Sequence, residues 1–232
     1  CNRAAEHALA AGADFLLFLN NDTLVPPDMI ATMLRAHAQT PGAGLVGVPE
    51  RLHDHPDEPR RLGARWLPLS CRVRWVYLAD GQPAPACLPL EVISGCAMLV
   101  SRETAAAAGL FDEEFFAYWE DADLSLRVRA AGHLNLCATT THVVHRSGRS
   151  TGREPGFSKA QLYLVCRGQA LMVRKHARGL GRVTAPLRLC LSAVAAGLTG
   201  FVRPRRRKLM LAKLAALVDG WQRRPVDRFW FS

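Results

Sequence analysis

The sequence predicts an α/β fold followed by a helical appendage, and three observations carry that prediction. Apolar residues make up 49% of the 232 and charged residues 22%, which suits a packed core and excludes a disordered chain. Two largely apolar runs, residues 13–19 (ADFLLFL) and 44–48 (GLVGV), bracket a helical stretch in strand–helix–strand order. Charge divides the chain. Residues 1–145 hold 11 Lys+Arg against 17 Asp+Glu, a net −6. Residues 146–232 hold 19 against 3, a net +16, and together they give the chain's +10. An acidic body, residues 1–150, is thus joined to a basic tail, 151–232, that seeks a polyanion.

Residues 2–11 are expected to form a helix stopped at Gly12. The 13–19 run lacks alternation, as a strand buried on both faces of a parallel sheet would. Pro26 and Pro27 open a helix over 27–40, because proline is tolerated in a first turn. Residues 44–48 are the next strand. Residues 50–89 are rich in Pro, Arg and His and resist assignment, apart from a strand near 72–78. Residues 90–100 (LEVISGCAMLV) form a strand interrupted by Gly95, where a glycine marks a close backbone approach. Helices over 101–108, capped by Ser101, and 119–131, ended by Gly132, precede strands at 134–138 and 142–145. A mobile basic loop is expected over 146–157, then helices near 158–178, 184–202 and 205–222.

Seven scattered cysteines (Cys1, Cys71, Cys87, Cys96, Cys137, Cys166, Cys190) include no CxxC pair. That argues against a zinc site or disulfide framework and for reduced thiols in a cytosolic setting. The chain opens at Cys1 within helical-looking sequence and is read as a piece of a longer one, so nothing is inferred about a signal peptide.

Chemistry concentrates in three places. Glu120, Asp121 and Asp123 open a helix, where acids commonly serve only the macrodipole and the free amides. Here an aromatic approach, FDEEFFAYW, ends in Trp119 and would wall a pocket. Asn20-Asn21-Asp22 follow the first strand abruptly; the plain interpretation is an Asx turn, but in open α/β sheets that strand end is where ligands bind. His145 follows THVVH and opens the loop HRSGRS. Oxygen ligands with one imidazole suit Mg²⁺ or Mn²⁺ better than zinc.

The segments NRAAEHALAAGADFLLFLNNDT, ISGCAMLVSRETAAAAGLFDEEFFAYWEDADLSLRVRAAGH and THVVHRSGRS, in this order and spacing, closely resemble family 2 glycosyltransferases of the inverting, nucleotide-sugar-dependent kind. The likeness is nearest to rhamnosyltransferase-like members that build bacterial surface polysaccharides, and it covers about residues 2–150. It implies a GT-A fold, a Rossmann-like mixed sheet flanked by helices, here expected to lack its first βαβ elements. The isolated chain is therefore expected to be inactive or poorly folded, with an exposed sheet edge. Asp22 matches the family's metal-binding aspartate, Asn20 stands where the first aspartate of that motif would be, and Asn21 lies between them. His145 matches the histidine completing the metal shell. The ED pair matches the catalytic base, placed on Asp121 with Glu120 as second choice. Gly95 and Cys96 match a loop passing close to donor sugar and acceptor, and Trp119 and Asp123 are assigned to substrate binding beside them. The implied reaction is a single displacement from a nucleotide-sugar donor, a dTDP-linked rhamnose by resemblance, to a saccharide or lipid-linked saccharide acceptor.

In the tail, residues 185–203 are mostly apolar, borderline for a span. RPRRRK and an amphipathic stretch ending near Trp221 follow. A core-packed helical hairpin competes with attachment of 185–224 to an anionic membrane surface, peripheral at the inner face of the cell membrane. Nucleic acid is not expected, because no binding motif or aromatic platform accompanies the basic run. Two other classes compete with the transferase: a non-catalytic remnant binding membrane or carbohydrate, and a metal-dependent hydrolase, which lacks the second cluster needed for two metals.

Overall fold

The computed structural model describes residues 1–146, 158–203, 207–226 and Phe229. They form two compact units. The first comprises 1–66, 73–111 and 121–146. The second comprises 67–72, 112–120 and the described residues from 158 onward. The basic loop expected over 146–157 lies, beyond Arg146, outside the described residues.

The first unit carries all, or all but one end residue, of α1 (Asn2–Ala10), β1 (Phe15–Leu19), β2 (Thr23–Leu24), α2 (Met29–Gln39), β3 (Ala43–Gly47), β4 (Glu50–Leu52), β5 (Arg60–Leu67), β6 (Arg72–Leu78), β7 (Cys87–Leu90), β8 (Ala97–Ser101), α3 (Arg102–Ala108), α4 (Glu120–Ala130), β9 (Leu134–Ala138) and β10 (Val143–His145). One sheet has the order β1-β8-β3-β9-β7 and the other β2-β10-β4-β5-β6.

The expectation of a parallel strand at 13–19 is corrected. β1 pairs antiparallel with β8, Phe15 opposite Ser101 through Leu19 opposite Ala97, and stands at the edge of its sheet among the described strands. The apolar run was a sign of burial, not of direction. Leu16 and Phe18 face a cluster with Leu45, Met98, Val100 and Leu124, whereas Phe15 and Leu17 face one with Met33, Val46 and Leu99. Both faces are covered, so alternation vanishes whichever way the neighbour runs. The parallel pairings are β3 with β9 and β10 with β4.

Two further boundaries differ. Pro26 and Pro27 lie ahead of α2, whose N-cap is Asp28, rather than in its first turn. The strand expected over 90–100 is two strands, β7 and β8, separated by residues 91–96. That intervening segment leaves the sheet to meet α4. The Ile93 amide donates to Ser125 Oγ (3.1 Å), and the buried Asn135 amide donates to the carbonyls of Glu91 (2.9 Å) and Ser125 (2.8 Å). The unassigned 50–89 stretch supplies β4, β5, β6 and the first strand residues of β7.

The second unit contains α5 (Lys159–His176), α6 (Gly181–Val202) and α7 (Arg207–Gln222). Ser158 and Gln161 form a capping box that starts α5. At Gly220 a Cβ would lie 2.2 Å from the Arg167 carbonyl, so only glycine allows α7 this close to α5. The nearly buried Arg167 donates to the Glu114 carbonyl (2.6 Å), binding residues 112–120 to this unit.

Candidate active site

The site is assembled by strand pairing. The Asn20 amide donates to the Cys96 carbonyl (3.0 Å), extending the β1–β8 ladder by one residue and setting the NND turn beside the Gly95–Cys96 segment. β2 then pairs antiparallel with β10, placing Thr23 opposite His145, and β10 runs parallel to β4, placing Val143 opposite Glu50. Three short strands thereby bring Asp22, His145 and Glu50 together. His145 Nε2 lies 3.0 Å from Asp22 Oδ1 and Nδ1 lies 2.6 Å from Glu50 Oε1. Asn20 Nδ2 is 3.5 Å from the same Nε2. Asn21 is exposed in the turn.

Electrostatics follow from this sandwich. The hydrogen bond to Glu50 raises the His145 pKa above its ordinary value; burial opposes it, and Asp22 adds to the rise. Burial alone would raise the pKa of Glu50, but the bond to His145, the Arg61 charge and Ser94 together hold it below the usual carboxylate value. Glu50 Oε2 accepts from Ser94 Oγ at 3.3 Å and lies 3.7 Å from Arg61 Nη1.

A divalent cation fits this donor set. Single ligand atoms of Glu50, Cys96 and His145 lie within 4.8 Å of one another, and Asp22 adds a carboxylate on the exposed side of His145. Cys96 is the poorest of them. Burial, then the charges of Glu50 and Asp22, push its thiol pKa far up, so it stays protonated, and sulfur is a soft donor. The side chain of Glu50 is only 3% exposed against 22% for Asp22, and Glu50 grips the far nitrogen of His145. That is the placement of an outer carboxylate orienting an imidazole ligand.

Asp121 sits in the first turn of α4, half-buried. Its Oδ2 accepts from the Gly95 amide (2.9 Å) and its Oδ1 from the Ala122 amide (2.7 Å). Burial raises its pKa against the pull of those amides, and the charge of Glu50 raises it further. Gly95 thus touches the candidate base directly, through its backbone.

Glu120 opens α4 but is grouped with the second unit. In that unit Trp119, at φ +76°, donates its indole N–H to the Val165 carbonyl of α5 at 3.1 Å. Asp123, expected to bind substrate, makes an internal ion pair. It is fully buried, and its Oδ2 accepts from Arg127 Nε at 2.7 Å, one helical turn on; Arg127 in turn reaches the carbonyls of Ala108 and Leu110.

Sequence reasoning missed Glu50, Arg61 and Ser94. The one available signal is Glu50 just past the apolar strand GLVGV, the same abrupt polar stop as at Asn20.

No protein-family model matches the chain. It is similar to the N-acetylglucosaminyl-diphospho-decaprenol L-rhamnosyltransferase of two strains of Mycobacterium tuberculosis, 29% identical over 220 residues, covering 86% of this chain and 69% of the relative. It is also 29% identical over 153 residues to the O-antigen biosynthesis protein RfbC of Myxococcus xanthus, covering 62% of this chain and 12% of that protein. The chain is a glycosyltransferase, and its likeness in sequence is to a rhamnosyltransferase. A solved structure of GalNAc-T7 with UDP, GalNAc and Mn²⁺ superposes on the glycosyltransferase at a TM-score of 0.51 and 14% identity, covering 74% of this chain and 33% of that one. That likeness is one of fold, and the glycosyltransferase has a GT-A-type mixed α/β fold with C-terminal helices.

Proposed function

We propose that this glycosyltransferase moves a sugar from a nucleotide-diphosphate donor to a hydroxyl of a lipid-linked saccharide, with inversion, in cell-surface polysaccharide synthesis. One observation supports it most: a single peptide, Gly95–Cys96, joins the two chemical groups such a transfer needs. The Gly95 amide holds Asp121, and the Cys96 carbonyl receives the amide of Asn20, two residues before Asp22. The mycobacterial relative is named for a lipid-linked acceptor and a rhamnosyl group, so rhamnose and a polyprenyl diphosphate acceptor are the first to test.

Asp121 is the base. Its oxygens accept backbone N–H groups, Gly95 on Oδ2 and Ala122 on Oδ1, and a carboxylate has about four lone-pair sites, enough to take a proton as well. As the acceptor oxygen bonds to the anomeric carbon, its proton passes to Asp121, and the bond from that carbon to the diphosphate oxygen breaks on the opposite face. Mg²⁺ or Mn²⁺ held by Asp22 and His145 would supply neutralising charge to the departing diphosphate. Asn20 and Asn21, exposed beside Asp22, offer amides to the donor, and Gly95 presents backbone without a side chain. The α6–α7 segment within 185–224 would hold the enzyme at the anionic inner face of the cell membrane, where a lipid-linked acceptor lies.

The test is release of nucleoside diphosphate from a panel of nucleotide sugars, with membranes, with Mg²⁺ or Mn²⁺ and then with EDTA. Metal-dependent release that Asp121→Asn removes is the expected result. Turnover undiminished in that variant would sink the assignment of the base.

A further inference from the structure

α6 carries two opposed faces. Gly181, Ala185, Leu189, Ala196 and Gly200 are buried. On the other side Val183, Leu187, Leu191, Val194, Leu198 and Phe201 are each at least 57% exposed. Their spacings of three and four residues confine them to about a third of the helix circumference, a stripe about 28 Å long. The stripe contains no charge. On α7, Leu211, Val218 and Trp221 are also exposed at helical spacing. Phe201 and Leu211 line one groove of about 480 Å³ between the two helices, so the apolar surface is continuous. A patch of this size facing water calls for a partner.

Charge identifies the partner's chemistry. From Arg178 to Arg224 the sequence holds 11 Lys+Arg and a single acid, Asp219, which accepts a hydrogen bond from Tyr163 Oη (2.8 Å). Arg178 and Arg182 flank one end of the stripe and Arg203, Arg207 and Lys208 the other, all exposed. An apolar face with cations at both ends suits a helix lying in the plane of anionic head groups with that face on the acyl chains.

α6 is long and apolar enough to cross a membrane by length and composition, yet its inner face argues otherwise. Its first turns are bound to the non-helical segment 68–71: Thr184 Oγ1 donates to the Leu69 carbonyl, and Arg188 Nε to the Ser70 carbonyl (3.2 Å). Crossing would carry that turn and a guanidinium into hydrocarbon, where irregular backbone and charge are costly. We infer that the outer stripe of α6, continued by the exposed face of α7, is a monotopic insertion surface lying along an anionic bilayer, with only the stripe among the acyl chains. This rests on the membrane attachment proposed above and adds its depth and orientation.

The test uses the full chain with phosphatidylcholine vesicles, with and without phosphatidylglycerol, at low and high salt. Wild type should sediment with anionic vesicles and remain partly bound in high salt. The double variant Leu191→Asp/Leu198→Asp should lose about tenfold or more of its partitioning at either salt. A fluorophore on Val194→Cys should be quenched by lipid-borne quenchers, and one on Arg178→Cys should not be. All four positions are exposed, so the variants should match wild type in circular dichroism and melting. Binding stripped wholly by salt, with the double variant binding like wild type, would overturn insertion and leave electrostatic attachment standing. No vesicle binding at all would overturn both. A dimer without vesicles that the double variant dissolves would make the face a protein interface and overturn the inference. Donor turnover is measured separately and decides the catalytic reading alone.

Discussion

The Gly95 amide donates to Asp121 Oδ2 at 2.9 Å, and a Cβ placed on Gly95 would stand 3.2 Å from the Asp121 Cβ. The hydrogen bond and the missing side chain are one device: the backbone can hold the carboxylate only because nothing projects between them. Gly95→Ala should push α4 back by a few tenths of an ångström. Since small misplacements of a reacting group cost rate steeply, kcat should fall roughly tenfold with KM changing less. An alanine variant with wild-type kcat would show that the contact does not position the base.

The raised pKa of Asp121, caused first by burial, gives a pH signature. As the proposed base, Asp121 works ionised, so the acidic limb of kcat/KM should lie above the ordinary carboxylate range. Asp121→Asn should lower turnover by roughly 10²–10⁴-fold and abolish that limb. Stability moves the other way. A carboxyl whose folded pKa exceeds its unfolded one favours the folded state while protonated and loses that advantage as pH rises through the folded pKa. At neutral pH Asp121→Asn should therefore melt no lower than wild type. A large drop in Tm would make Asp121 a structural group.

Much of this site was legible in the sequence, and the misses have physical causes. Asp22, Asp121 and His145 stand at ends of periodic elements, where an abrupt change from apolar to polar is visible locally. Glu50 and Arg61 belong to short strands whose partners lie far away in sequence; Glu50 meets His145 across 95 residues. Register between such strands comes from pairing rather than local pattern. The direction of β1 was missed for the same reason, because burial on two faces is written in composition and strand direction is not.

Glu50 is the test of that blind spot. Its folded pKa is depressed, so the stability it contributes is present above its unfolded pKa and lost as pH falls through the folded one. That of His145 is raised, so its contribution is full below its unfolded pKa and lost as pH rises through the folded one. Glu50→Gln keeps the shape and removes the charge that sets the His145 ring. Mn²⁺ affinity, followed by electron paramagnetic resonance without donor or acceptor, should weaken by about 10–100-fold. Unchanged Mn²⁺ binding would remove Glu50 from the metal's surroundings.

Asp123 separates structure from chemistry within the same helix. Its carboxylate is fully buried against Arg127, whose guanidinium also reaches the carbonyls of Ala108 and Leu110, fastening the turn after α3 to α4. Asp123→Ala leaves that cation without its counter-charge. Breaking a buried pair from one side costs about 3 kcal/mol; the guanidinium is partly exposed, so the loss should be nearer about 2 kcal/mol in chemical denaturation. The surviving folded enzyme should keep its KM for donor, because the buried Asp123 carboxylate is taken up by Arg127. Mn²⁺ affinity should likewise match wild type. A raised donor KM at full stability would return Asp123 to the binding site and would require Arg127 to hold its turn without it.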